Sequence, residues 1–206
     1  MPYPTSSSTS NQPLANPVSV IGPHFCAPYP VDLLITGKVL SVTGKFFVTD
    51  INGNILFQVK EKSVSLRGRQ VLLDRAGNPI VTLKQKAMSL HDRCQVFKGD
   101  STDASDLLFS VRRPAMFQLR SKLDVFLANN TMEEVCDFTV KESWLGRSCV
   151  IYAGESSAIV AQKHEKQTVD KSMVTVYPNI DYAFIAALFM IVDALEYTGG
   201  GGGGGE

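Results

Sequence analysis

The chain has 206 residues, 44% of them hydrophobic, with 20 basic residues against 20 acidic ones. That length suits one globular domain with tails, and a balanced net charge excludes a uniformly basic nucleic-acid binder or an acidic solvating chain. Four cysteines lie far apart with no C-x-x-C pair, so buried thiols in a reduced, intracellular protein are expected rather than a disulfide framework.

The first 23 residues are rich in Pro, Ser, Thr and Asn and poor in large apolar groups, which predicts a disordered tail. They lack the basic start and continuous apolar run of a signal peptide. The domain is expected over residues 24–198, followed by a flexible Gly-rich tail over 199–206.

From Val31 to Val176 the chain offers short β-type runs separated by turn signals, the pattern of a sandwich or barrel. The clearest are Lys45–Thr49, Ile55–Val59, Gln70–Leu73, Ile80–Leu83 and Leu107–Val111. Further runs are Phe138–Val140, Cys149–Tyr152, Ile159–Val160 and Met173–Val176. Asp50-Ile-Asn-Gly53-Asn54 recurs 24 residues later as Asp74-Arg-Ala-Gly77-Asn78, each followed by an apolar stretch and a lysine. Asp and Asn bond turn backbone and Gly accepts positive φ, so each copy predicts a hairpin turn. Neither copy gathers the several oxygen ligands that a cation needs.

Charge is informative by position. Between Lys60 and Lys98 nine bases face three acids, whereas from Leu123 to Glu206 five bases meet twelve acids. Lys60, Lys62, Arg67, Arg69, Lys84, Lys86 and Arg93 are therefore candidates for binding an anionic headgroup. The alternative is a set of solvated outward strand positions that discourage edge aggregation. No zinc finger, basic helix or aromatic-basic RNA signature points to nucleic acid.

Catalytic patterns are missing from the sequence. His24, His91 and His164 have no metal-ligand spacing, and no nucleophile elbow, P-loop or dinucleotide fingerprint occurs. Asp100, Asp103 and Asp106 lack the order of a calcium loop. Neither a catalytic residue, a metal site nor a cofactor is expected, and the chain is read as non-enzymatic.

Near the C-terminus, Tyr182 to Val192 forms an eleven-residue apolar run closed by Asp181 and Asp193. Its alanines, with no Gly or Pro, favour a helix, expected over about residues 180–197. Apolar side chains point in every direction, so Tyr182, Phe184, Ile185, Leu188, Phe189, Ile191 and Val192 must be surrounded. The run is too short to span a bilayer core. A sheet closing around one buried helix satisfies strands and helix together.

The segment Val174-Thr-Val-Tyr-Pro178-Asn-Ile-Asp181-Tyr-Ala-Phe-Ile-Ala-Ala-Leu188 resembles the C-terminal signature of the plant LURP-one-related proteins. Arg147-Ser-Cys149-Val-Ile-Tyr152 and Asp74-Arg-Ala-Gly77-Asn78-Pro79 are similar to recurring segments of the same family. The resemblance covers roughly residues 23–198. It implies a tubby-like fold, a closed antiparallel barrel of about twelve strands around a central hydrophobic helix, shared with phospholipid scramblases. It further implies a membrane-tethered transcription regulator, phosphoinositide binding as in Tubby domains, and a link to pathogen defence. Tubby's lipid-binding residues have no position-by-position match here, and the calcium segment and palmitoylated cysteines of scramblases have no counterpart. The alternatives from the residues alone are a carrier of a small apolar ligand inside a barrel and a protein-interaction module.

Overall fold

The computed structural model describes residues 16–37, 46–61, 69–86, 93–114, 122–143, 148–164 and 171–199. Twelve antiparallel strands close on themselves around one helix. The first half comprises β1 (Val31–Gly37), β2 (Phe46–Thr49), β3 (Ile55–Glu61), β4 (Gln70–Asp74), β5 (Pro79–Lys86) and β6 (Arg93–Lys98). The second half comprises β7 (Leu107–Arg112), β8 (Lys122–Leu127), β9 (Phe138–Glu142), β10 (Cys149–Ala153), β11 (Ile159–Lys163) and β12 (Lys171–Val176). Each strand pairs with its chain neighbour, and β1 pairs with β12 through six residue pairs from Val31↔Val176 to Thr36↔Lys171. Closure leaves the sheet without an edge.

Strand alternation explains the core. Leu33 and Ile35, Phe46 and Val48, Val81 and Leu83, and Cys94 and Val96 point inward and are buried, because successive strand residues face opposite sides. The helix α1 (Tyr182–Gly199) fills the axis. Every residue from Ala183 to Val192 is buried, as an all-round apolar helix requires. The Phe184 ring meets Phe109 edge-on and Phe138 at a tilt, both with centroids 5.0 Å apart. The expected central helix and closed barrel are what the chain forms.

α1 begins at Tyr182, two residues later than expected. Ile180 and Asp181 instead make isolated bridges to Val18 and Cys26. Asp181 then caps the helix, its Oδ1 accepting the N–H groups of Ala183 and Phe184, both at 3.0 Å. The tail boundary expected at residue 23 also moves. Val18 to Gly22 are held by backbone bonds to Asn179 and Asp181 and by the Asp181 carboxylate. Burial of a polar partner, which composition does not register, orders this stretch. Residues 1–15 and 200–206 of the expected tails lie outside the described residues.

The two D-x-x-G-N segments form matching turns. Asp50 Oδ1 accepts the N–H groups of Asn52 and Asn54, both at 2.9 Å, and Asp74 Oδ1 accepts those of Ala76 and Asn78, both at 2.8 Å. In each, Oδ2 takes the Asn side-chain amide. Gly53 and Gly77 have φ of 84° and 86°. An added Cβ would meet nothing within 4 Å at either, so only the backbone angle demands glycine there.

Candidate functional site

Antiparallel alternation sends the β2–β3, β4–β5, β6–β7, β8–β9 and β10–β11 connections to one rim of the barrel. β12 also ends there, so α1 enters the lumen at this rim. The segment from Val18 to Cys26, including a 3-10 turn at Pro23–Phe25, lies across it. This strap is fastened by one carboxylate. Asp181 Oδ2 accepts the N–H groups of Val20, Ile21 and Gly22 at 3.1, 2.7 and 3.0 Å. Asp181 thus receives five backbone donors and is 0% exposed. Its charge also sits at the positive end of the helix dipole.

Between strap, β3 and the β4–β5 turn lies a groove of about 550 Å³. Leu56, Phe57 and Ile80 of the barrel, Phe25 of the strap and Tyr182 of α1 form its apolar lining. Phe25, Phe57 and Tyr182 make an aromatic trio with centroids 5.4–5.9 Å apart, the tilted and edge-on spacing that ring quadrupoles favour. Burial, then the nearby Asp181 charge, pushes the Tyr182 phenol up and keeps it protonated. Arg75, Lys98, Asp74 and His24 form the polar rim. Hydrogen bonds from Asn78 hold the Asp74 carboxyl below the usual range, so it is ionised at neutral pH and fully engaged by its own turn. Arg75 and Lys98 are exposed and make no ion pair among the described residues.

The groove does not contain the residues expected from the charge pattern. Lys60, Lys84 and Arg93 lie on the barrel's outer wall. Lys60 on β3 and Lys84 on β5 share outward parity and are exposed. Lys84 faces Gln95 across the ladder and Lys86 faces Arg93. Two of the bases are already paired: Arg69 with Asp100 at 2.5 Å, and Arg93 with Glu133. Glu133, on the loop after β8, also takes Arg112 at 3.3 Å, and Arg112 stacks over the Phe126 ring at 4.4 Å. Lys62, Arg67 and the Lys86 side chain lie outside what the structure describes.

Arg75 and Lys98 belong to the nine counted bases but not to the seven candidates, because a count along the chain does not register position on the barrel. The signal that would have found them is position: Arg75 follows the turn aspartate, and Lys98 ends a strand at the helix-entry rim. His164 has a structural place, its Nε2 lying 2.9 Å from Thr175 Oγ1, which donates to Asp32 Oδ1 at 2.6 Å. That chain ties β11, β12 and β1 together. Asp100, Asp103 and Asp106 form a turn in which Ser101 Oγ accepts the Asp103 N–H at 3.1 Å. All four cysteines carry thiols; Cys94, Cys136 and Cys149 are buried and Cys26 is half-buried.

A twelve-stranded antiparallel barrel filled by its own C-terminal helix defines the class of protein. The LURP-one-related family profile matches residues 31–193, and the chain belongs to that family. It is 54% identical over 200 residues to protein LURP-one-related 15 of Arabidopsis thaliana, covering 93% of this chain and 92% of that protein. It is 46% identical over 194 residues to protein LURP1 of the same plant, covering 90% and 94%. A crystal structure of an Arabidopsis thaliana protein superposes with a TM-score of 0.71 at 52% identity, covering 86% of this chain and 98% of that one. Among the described residues no helix is long and apolar enough to cross a membrane.

Proposed function

We propose that this chain is a non-enzymatic regulator that docks on anionic membrane headgroups, phosphoinositides included, through the outer wall of β3–β6. The observation that carries this reading is the pair Lys60 and Lys84, both outward and exposed, without an ion pair among the described residues. Each such cation contributes about 1 kcal/mol at an anionic surface. A regulatory output in transcription or pathogen defence then follows from recruitment to that surface or release from it. The carrier alternative is disfavoured because α1 occupies the lumen that a ligand would need.

Co-sedimentation with vesicles tests the proposal. Phosphatidylcholine vesicles containing phosphatidylinositol bisphosphate should bind the protein and pure phosphatidylcholine should not. Binding should weaken as salt shortens the screening length. Lys60→Glu with Lys84→Glu should abolish it at unchanged melting temperature. Equal binding to neutral and anionic vesicles sinks the headgroup reading and leaves a protein partner as the better one.

A further inference from the structure

The rim groove is separate from the outer-wall lysines, neither of which lines it. We propose that this groove is a binding site for a small monoanion with a ring-sized apolar body, an aryl carboxylate in chemical class. Its volume of about 550 Å³ falls within the several-hundred-Å³ range of small-ligand sites. Phe25 and Tyr182, half-buried and packed against the buried Phe57 ring, give it aromatic surface, which an offset or edge-on ring fills well.

Charge decides the rest. Arg75 and Lys98 bring two positive charges to the rim and Asp74 one negative charge. Both Asp74 oxygens are taken by the N–H groups of Ala76 and Asn78 and the Asn78 amide, at 2.8–3.0 Å. The carboxylate therefore cannot turn toward either cation without dismantling the hairpin. Both cations are therefore left open to an occupant, and a carboxylate offers them an anionic acceptor. That pairing is charge-assisted and so stronger than a neutral hydrogen bond. The chain's own N-terminal segment is a poorer occupant. Residues 1–15 contain no Asp or Glu, so they offer no carboxylate to Arg75 and Lys98. The strap supplies Ile21, His24 and Phe25 to the lining, which makes the site dependent on the Asp181 fastening.

Calorimetric titration of the full chain with 2-naphthoate and its uncharged counterpart 2-naphthamide tests this. Naphthoate should bind saturably with one-to-one stoichiometry, and the amide about tenfold or more weaker, the factor expected from one charge-assisted contact. Arg75→Gln with Lys98→Gln should reduce naphthoate affinity by about the same factor, leaving amide binding and melting temperature unchanged. Leu56→Trp should fill the groove and weaken both ligands. Lys60→Glu with Lys84→Glu should bind naphthoate as the parent chain does while losing anionic vesicles, so either proposal can fail without the other. Equal affinity for naphthoate and naphthamide, or unaltered naphthoate affinity in Arg75→Gln/Lys98→Gln, would overturn the proposal. So would loss of naphthoate binding in Lys60→Glu/Lys84→Glu, which would move the site to the outer wall.

Discussion

Asp181 accepts the backbone N–H of Ile21 at 2.7 Å across 160 residues of chain. The same carboxylate caps α1, so the strap and the helix share one anchor. Asp181→Ala leaves five backbone donors without their acceptor. Each buried unsatisfied donor costs about 1–3 kcal/mol, less where water enters, and the total loss should exceed about 3 kcal/mol. Chemical denaturation of the variant measures it. A loss below 1 kcal/mol would mean that the strap contributes little to the folded state.

Cys26 reports the same anchor through its chemistry. Burial, then the Asp181 charge, pushes its thiol above the ordinary value of 9.0. Alkylation by iodoacetamide should therefore be slow at pH 8 and reach half its maximal rate only above pH 9.0, because the thiolate is the nucleophile. Linkage has a definite sign here. A group whose proton is held more tightly in the folded state stabilises below the unfolded pKa, and that contribution is lost as pH rises through 9.0 toward the raised value. Rapid labelling of the native protein at pH 7 would contradict the strap geometry.

The axis of the barrel should be intolerant. Phe184 is buried between Phe109 and Phe138, and Phe184→Ala should cost about 3–5 kcal/mol by truncation and cavity formation. Leu188→Asp places an unpaired charge within the buried hydrophobic core and should prevent folding. An unchanged melting temperature in Leu188→Asp would refute the central helix.

The hairpin aspartates predict acid sensitivity. Hydrogen bonds, from the Asn54 and Asn78 side chains first, lower the carboxyl pKa of Asp50 and Asp74. A depressed pKa contributes stability above the unfolded value of 3.8, which is lost as pH falls through the folded value. Asp50→Asn/Asp74→Asn should therefore show a shallower loss of stability below pH 4 than the parent chain. Both aspartates are exposed enough for the effect to be small. A calcium-dependent melting temperature that disappears in Asp50→Asn would instead reveal a cation site.

Glu133 restrains the outer wall. It engages Arg93 and Arg112, two cations on the same wall as Lys84. Glu133→Gln should remove the charge that neutralises both and strengthen binding to anionic vesicles. The stability cost should be modest, about 1 kcal/mol or less, as the pairs are partly exposed. Weaker vesicle binding in this variant would place the headgroup surface elsewhere.

The apolar run Tyr182–Val192, the β-type runs around it and the D-x-x-G-N repeat were sufficient to derive a closed barrel with a filled axis. Such patterns are local, so a single sequence displays them. The strands β6 and β8 were less legible. Arg93-Cys-Gln-Val-Phe-Lys98 and Lys122-Leu-Asp-Val-Phe-Leu127 mix charged and apolar residues, and only pairing with neighbouring strands makes that alternation a strand. The nine clearest runs left out β1 as well as β6 and β8, and pairing with neighbouring strands completes the twelve that the family resemblance implied.

The basic segment was visible as composition, but its electrostatic meaning was not. Arg69 and Arg93 are paired with Asp100 and Glu133, 31 and 40 residues away, and no local window records such partners. The sequence by itself determined the filled barrel, the matching turns and the family. Only the tertiary structure decided that Asp181 fastens Val20–Gly22, that a groove opens beneath the strap, and that Arg75 and Lys98 face it together. These depend on contacts between residues far apart in the chain, whose geometry closure of the sheet alone fixes.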